Sequence, residues 1–179
     1  NLTVEYMVRS AEPGLSVDIG PNAGETLRNA CTEITSSDDS DICNLGSVNL
    51  SRIESKEEME EAVRYGTLFL LAGTVYSDLP YGKVNIVREK NRRLGLGVMG
   101  VHEWLLKRGY SYQPTDELGE WMEIYATSTD IAAEYADKHN LSRPIKTRAI
   151  APTGTIGIVA ETTTGIEPIF CVALKRRYK

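Results

Sequence analysis

Three side chains with complementary chemistry occupy alternate positions of one short segment: Asn29, Cys31 and Glu33. Alternate residues of an extended strand point to the same face, so we expect an amide, a thiol and a carboxylate to face one substrate. A thiol can serve as a nucleophile or a radical carrier, and a carboxylate can serve as a base. A buried cysteine between two solvent-facing polar residues is the alternative, and the spacing alone does not decide between the two.

A second thiol follows at Cys43, after a polar loop at residues 36–41. A short loop between two extended runs predicts a hairpin that brings the thiols of Cys31 and Cys43 close together. With Cys171 the chain has three cysteines at wide spacings. That set fits neither a disulfide scaffold nor a paired zinc site, and it is typical of a reducing cytoplasm. Because Cys171 stands in an apolar run, we expect it in the core.

A turn late in the chain combines a glycine with two threonine hydroxyls. Glycine lets the backbone approach an anion, and backbone amides and hydroxyls can donate hydrogen bonds to it. The alternative is an ordinary turn between two strands, which the turn taken alone favours. The candidate anion-binding residues are Pro152, Thr153, Gly154, Thr155 and Ile156.

The glycine pattern at residues 95–100 matches that of dinucleotide-binding folds. Such folds need a buried parallel strand before the glycines, whereas residues 88–93 are mostly charged. A nicotinamide-binding domain is therefore kept only as an alternative. His102 and His139 are far apart in sequence and lack further ligands, so we expect no metal site.

The elements that must position these residues are mixed α and β. Ser55 followed by Glu58 is a capping box, which marks the start of a helix with apolar residues at helical spacing. Later apolar periodicity predicts two more helices, and β-rich runs follow Pro144. The expected elements are helices at residues 55–79, 98–108 and 115–139, then strands at 147–151 and 156–160.

Composition is that of a soluble globular protein: 179 residues, 41% hydrophobic and 25% charged, with a formal net charge of −5. The negative balance gives no broad attraction to nucleic acid or to anionic membranes, and no apolar run is long enough to span a bilayer. We expect a cytoplasmic protein with no nucleic-acid or membrane partner. The basic residues at 92–93 and 175–177 predict solvated faces or packing against other parts of a longer chain.

Five motifs resemble, in the same order, those of ribonucleotide reductase large subunits. Because they run through most of the chain, coincidence in a single motif does not account for them. The motifs are NACTEI at 29–34, CNLGSVNL at 43–50, NRRLGLGVMG at 91–100, APTGTI at 151–156 and GIEPIF at 165–170.

This resemblance implies a role for each candidate residue. Cys31 would carry the thiyl radical that removes the 3′-hydrogen of the substrate ribose, Glu33 would take the 3′-hydroxyl proton, and Asn29 would hold a ribose hydroxyl. Cys43 would be one half of the redox pair whose oxidation to a disulfide supplies two electrons as the 2′-hydroxyl leaves as water. The turn at 152–156 would bind the substrate phosphate.

The implied fold is part of the ten-stranded α/β barrel of these enzymes, with a central cysteine-bearing loop. We expect residues 1–179 to form a partial catalytic barrel domain of a longer chain. The N-terminal effector region, the C-terminal thiol tail and the upstream partner of Cys43 would lie outside it, so we expect the isolated piece to be inactive.

The implied reaction is the reduction of ribonucleoside di- or triphosphates to 2′-deoxyribonucleotides, an oxidoreductase activity with a disulfide as acceptor. The motifs resemble the adenosylcobalamin-dependent class II more than class I, whose large subunit works with a metal-radical partner subunit. Class I is kept as an alternative. The implied partners are the nucleotide substrate, a thioredoxin-type dithiol reductant and the remainder of the reductase chain.

Overall fold

The structure is a computed structural model that describes residues 1–20, 23–173, 175 and 177. The chain divides into two compact units, residues 1–39 and 40–179. No helix among the described residues is long and apolar enough to cross a membrane.

Among the described residues of the first unit, a helix and a short hairpin are the main elements. Helix α1, Leu2–Ser10, is capped by Asn1, whose side chain accepts a hydrogen bond from the amide of Thr3. Strands β1, Leu27–Arg28, and β2, Thr35–Ser36, pair antiparallel. The hairpin therefore spans residues 27–36.

The expected hairpin joining Cys31 to Cys43 is wrong. Cys31 lies in the loop between β1 and β2. Cys43 comes directly before strand β3, Asn44–Asn49, which pairs with a strand fifty residues later in the sequence. The polar loop at 36–41 separates two different structures and does not close one hairpin.

The second unit is built on a parallel sheet. Strand β3 pairs with β4, Leu94–Met99, in a register that runs from Asn44 opposite Leu94 to Asn49 opposite Met99. On the other edge of β4, Leu96 bridges to Arg148 in parallel, so β4 lies in the centre. Every residue of β4 is buried, as expected for a strand covered on both faces.

Helix α2, Lys56–Tyr76, covers one face of this sheet. Its predicted start is confirmed, because Ser55 Oγ accepts from the amide of Glu58 at 3.2 Å. The carboxylate of Glu58 in turn accepts from the amide of Glu54 at 2.9 Å. The buried side of α2 faces β3, β4 and helices α5 and α6, Asp116–Ala126 and Ser128–Lys138. It consists of Met59, Val63, Thr67, Leu70, Leu71 and Thr74.

Alternate residues of the two strands face α2, and the others face away from it. Leu96 and Val48 reach towards Gly66 of α2. On the opposite face, Cys43 and Leu45 lie over Gly95. On the side away from β4, where no strand of the described residues pairs with it, β3 borders an apolar groove of about 560 Å³, lined in part by Leu45 and by Tyr65 and Phe69 of α2.

Several predicted elements differ from the structure. Helix α3, Gly82–Asn91, was not expected, and the expected helix at 98–108 is strand β4 followed by α4, Val101–Lys107. The expected helix at 115–139 is divided at Thr127 into α5 and α6. The expected strand at 156–160 is wrong, because Gly154–Val159 forms the short helix α7. Short apolar runs fit either state, and tertiary contacts decide between them.

Candidate active site

The segment that carries Asn29, Cys31 and Glu33 is a tight loop, so the strand expected there is wrong. The amide of Asn29 donates to Ile34 O at 3.4 Å, and Asn29 Oδ1 accepts from the amide of Ile34 at 3.1 Å. The amide of Thr32 donates to Asn29 O, and Thr32 adopts a positive φ of 67°. Asn29 thus closes the loop with its own side chain, which leaves its Nδ2 group able to donate elsewhere.

Within this loop the thiol and the carboxylate differ in exposure. Cys31 is exposed, and Glu33 is half-buried. Glu33 Oε2 is buried and has no hydrogen-bond partner in the part of the chain that the structure describes. A buried carboxylate oxygen without a donor is costly, and in native structures such an atom calls for an explanation, for example a catalytic role.

A cleft of about 300 Å³ opens beside the loop in the same unit. Thr32 of the loop and Arg28 of β1 contribute to its lining, together with residues 15–19. The Arg28 guanidinium donates to Glu25 O at 2.8 Å and also contacts the hydroxyl of Ser16. No sequence motif pointed to this arginine, whose place depends on folding of residues 15–19 against the hairpin.

Cys43 lies at the amino end of β3, half-buried, with its sulfur over the backbone of Gly95. A Cβ at Gly95 would come within 2.9 Å of Cys43 Sγ and 2.4 Å of Leu45 Cδ2. Only a residue without a side chain leaves this space to the sulfur. Gly95 and Gly97 lie within strand β4 itself, so they serve sheet packing and do not form the phosphate loop that follows a strand in a dinucleotide-binding fold.

A buried ion pair holds the chain just before Cys43. Asp41 Oδ2 accepts from Arg93 Nε at 2.9 Å and from Asn91 Nδ2 at 3.0 Å. The side chain of Arg93 is only 2% exposed. Arg92 is also buried, so the expectation that residues 92–93 form a solvated face is wrong. Arg92 Nε donates to Ser142 O at 3.1 Å, so both arginines are bound by segments about 50 residues away in the sequence.

The candidate phosphate turn divides into one buried and four exposed residues. Thr153 is buried with a positive φ of 49°, and its Oγ1 accepts from the amide of Gly165 at 2.7 Å. Its carbonyl accepts from the amide of Gly157. The residues left open to solvent are Pro152, Gly154, Thr155 and Ile156.

A polar network that sequence reasoning missed lies where β3 and β4 end. Glu103 Oε2 lies 2.7 Å from the Thr162 hydroxyl, and Glu103 Oε1 lies 2.9 Å from Lys107 Nζ. Burial opposes ionisation of Glu103, but the hydrogen bonds from Lys107 and Thr162 outweigh it and lower the pKa of Glu103. Lys107 lies one helical turn from Glu103, which is a local signal, but Thr162 is 59 residues away and no local motif marks its part in the network.

The remaining candidates have no clear place in a site. Cys171 is exposed, so the core position expected for it is wrong. His102 Nδ1 accepts from the amide of Ile169, and His139 stacks on Tyr135. No group of three metal-ligating side chains occurs within the residues that the structure describes. In the basic run at 175–177, residue 176 lies outside the described residues.

The sequence of this chain is similar to those of ribonucleotide reductases. The family model for the ribonucleotide reductase barrel domain matches residues 26–144. A putative adenosylcobalamin-dependent ribonucleoside-triphosphate reductase of Mycobacterium phage D29 is 33% identical over 98% of this chain and 27% of its own length. A vitamin B12-dependent ribonucleoside-diphosphate reductase of Thermoplasma acidophilum is 33% identical over 75% of this chain and 21% of its own length. The chain thus spans about a quarter of the length of these curated relatives.

Solved structures agree on the fold. A B12-dependent class II ribonucleotide reductase superposes with a TM-score of 0.64 at 21% identity, over 77% of this chain and 22% of the other. The class Id ribonucleotide reductase alpha subunit of Actinobacillus ureae gives 0.65 at 24%, over 80% and 32%. The mixed α/β fold expected from the sequence is confirmed, and the parallel strands β3 and β4 belong to a partial barrel.

Proposed function

Because the chain belongs to the ribonucleotide reductase barrel-domain family, we propose that it is part of a catalytic subunit that reduces ribonucleotides to 2′-deoxyribonucleotides. The observation that carries the proposal is the loop at residues 29–34. It presents an exposed thiol at Cys31 two residues from a carboxylate, Glu33, that has a buried oxygen with no partner among the described residues.

The radical step uses the three residues of this loop. A thiyl radical on Cys31 takes the 3′-hydrogen of the ribose, and the thiol returns a hydrogen atom at the end of the cycle. An S–H bond is close in strength to an activated ribose C–H bond, so transfer in both directions is feasible. Glu33 accepts the 3′-hydroxyl proton with its buried oxygen. Asn29 holds a ribose hydroxyl through Nδ2, since its Oδ1 is occupied by Ile34.

The reducing step uses Cys43 and a second thiol outside this chain. Their oxidation to a disulfide releases two electrons and two protons, while the 2′-carbon exchanges its hydroxyl for hydrogen and the hydroxyl leaves as water. A thioredoxin-type dithiol then reduces the disulfide. This role is supported by the space beside Cys43 Sγ, which the missing side chain of Gly95 leaves open.

The substrate phosphate is assigned to the turn at residues 152–156. Gly154 and Thr155 are exposed and can donate through backbone amides, and through the hydroxyl in the case of Thr155. Thr153 supports the turn from the inside through Gly165. The substrate class is a ribonucleoside di- or triphosphate, since the names of the relatives include both. We assign the reaction to the cytoplasm, where it supplies precursors for DNA.

Adenosylcobalamin is the cofactor we propose, because two similar relatives are named for dependence on it or on vitamin B12. The exposed thiol of Cys31 would be accessible to a cofactor bound next to this loop. When bound, this group supplies a radical by homolysis of its cobalt–carbon bond. We assign no residue of this chain to the corrin ring.

The first test measures reduction of CDP and CTP by the complete reductase that carries these residues, with dithiothreitol as electron donor. Turnover is expected to require added adenosylcobalamin. Turnover that instead requires an iron- or manganese-containing partner subunit would assign the protein to class I.

Replacing Cys31 by serine in the complete reductase is expected to lower the rate by about 10⁴-fold or more, because the radical carrier is lost. Cys171→Ser is the matched control, since this thiol is also exposed but lies outside the loop and is expected to leave the rate unchanged. A Cys31→Ser enzyme that keeps its activity would remove the basis of the proposal.

A further inference from the structure

The segment at residues 162–165, which follows α7, is tied to the carboxyl ends of β3 and β4. The amide of Gly100, directly after β4, donates to Thr163 O at 2.8 Å. The hydroxyl of Thr162 lies 2.7 Å from Glu103 Oε2 and 2.9 Å from Ser51 Oγ. A side chain at Gly100 would fill this space, because its Cβ would lie 2.6 Å from Thr162 Oγ1.

The proton positions in this network follow from the charge on Glu103. An ionised carboxylate can only accept, so the Thr162 hydroxyl donates its single proton to Glu103. The ammonium group of Lys107 donates to the same carboxylate and also to Ser51 O at 2.8 Å. Thr162 is therefore held by a charge-assisted hydrogen bond, which is stronger than one between neutral groups.

The same segment supports the candidate phosphate turn. Three residues after Thr162, the amide of Gly165 donates to Thr153 Oγ1 at 2.7 Å. The amide of Thr162 itself donates to Gly157 O at 2.9 Å, so the segment also folds back on α7. Glu103 is thus connected to Thr153, the residue before Gly154: one hydrogen bond joins Glu103 to Thr162, three residues of chain lead to Gly165, and a second hydrogen bond joins Gly165 to Thr153.

We propose that Glu103 and Thr162 are positioning residues for the substrate phosphate: together they fix the segment at 162–165, which holds Thr153 and so sets where the amides of Gly154 and Thr155 lie. Neither residue touches the nucleotide in this proposal. The inference rests on the proposed function, because it takes the turn at 152–156 as the phosphate site.

Two substitutions at one position separate positioning from general packing. Thr162→Val keeps the shape of the side chain and removes the hydroxyl, whereas Thr162→Ser keeps the hydroxyl and removes a methyl group. Glu120→Gln is the control for loss of a carboxylate, because Glu120 pairs with Lys56 on an exposed surface away from this network. Glu103→Gln removes the charge that orders the network.

The first measurement is hydrogen exchange of the intact protein. In Thr162→Val the amides of Gly165 and Gly100 are expected to exchange roughly tenfold faster, because one charge-assisted hydrogen bond that holds the segment is lost. Thr162→Ser and Glu120→Gln are expected to exchange as the unmodified protein does. Unchanged exchange in Thr162→Val would show that the hydroxyl does not hold the segment, and would overturn the proposal.

The second measurement is the binding and turnover of CDP and CTP by the complete reductase. Thr162→Val and Glu103→Gln are expected to raise Kd and KM by roughly tenfold with little change in kcat, because binding is lost equally from the ground and transition states. Thr162→Ser is expected to restore both values. If the unmodified enzyme binds the nucleotide and Thr162→Val binds it equally well, the positioning role is wrong. If the unmodified enzyme binds neither nucleotide, the proposed function itself fails.

Discussion

The two ends of the parallel pair β3–β4 are held in different ways. At the amino end, Asp41 and Arg93 form an ion pair with 6% and 2% of their side chains exposed. At the carboxyl end, Glu103 and Lys107 are 25% and 47% exposed and are joined by hydroxyl groups from two other segments. The amino end is thus fixed by buried charge, and the carboxyl end by a more exposed network of hydrogen bonds.

The difference matches what each end must do in the proposed reaction. Cys43 lies two residues after Asp41, and a thiol that must meet a second thiol needs a fixed backbone. The carboxyl end connects to the loop that would receive the substrate phosphate. Loops at the carboxyl ends of parallel strands commonly bind ligands.

The largest expected effect comes from breaking the buried pair. Asp41→Ala leaves the Arg93 charge buried without its partner and is expected to lower the free energy of unfolding by about 3–5 kcal/mol. Urea denaturation measures this change. The exposed pair of Lys56 and Glu120 is the control, and Glu120→Ala is expected to cost less than about 1 kcal/mol. Equal losses in the two variants would show that burial adds nothing to the Asp41–Arg93 pair.

A smaller effect is expected from adding a methyl group to the sheet itself. A Cβ at Gly97 would lie 2.6 Å from the backbone oxygen of Ala149, whereas a Cβ at Gly95 would meet only side chains closely, those of Leu45 and Cys43. Gly97→Ala is expected to lower the free energy of unfolding by about 1–3 kcal/mol, and Gly95→Ala by less, because side chains can move. Thermal or urea unfolding of both variants tests this order, and the reverse order would show that the strand backbones yield more readily than the side chains.

The smallest effect is expected at the carboxyl end and depends on pH. The folded pKa of Glu103 lies below its ordinary value of 4.5, so its ionised form stabilises the fold. This contribution is fully present above pH 4.5 and is lost as the pH falls through the lower folded value. Relative to Glu103→Gln, the unmodified protein is therefore expected to be more stable by about 1 kcal/mol at neutral pH. Denaturation at several pH values checks this difference in stability, and a difference that grew on acidification would have the opposite sign to the one expected.

Local signals in the sequence predicted local structure well. The capping box at Ser55 and Glu58 indicated the start of α2, because its hydrogen bonds join residues three or four positions apart. The order of motifs indicated the family. The predicted turn at 152–156 is only partly present, because Gly154, Thr155 and Ile156 form the first turn of helix α7. What failed depends on distant partners. From the sequence, Arg93 is expected to be solvated, because its partner Asp41 is 52 residues away and no local pattern links the two.

Strand β4 shows the same limit for secondary structure. Its sequence, LGLGVM, has two glycines and no β-branched residue except Val98, so propensity does not favour a strand. It is nevertheless the central strand, paired with β3 on one edge and bridged to Arg148 on the other. The two glycines fit this position because Cys43 and the backbone of Ala149 leave little room for side chains at Gly95 and Gly97. The carboxyl-end network could not be anticipated either, since Ser51 and Thr162 are 111 residues apart.

The free edge of β3 has a practical consequence. Among the described residues, β3 pairs only with β4, and an apolar groove with exposed aromatic rings runs along its other side. Unpaired strand edges next to apolar surface recruit any extended chain that fits them. Preparations in which this edge stays uncovered will therefore tend to self-associate as concentration rises, and a charged substitution at Leu45 offers a direct way to keep them monodisperse.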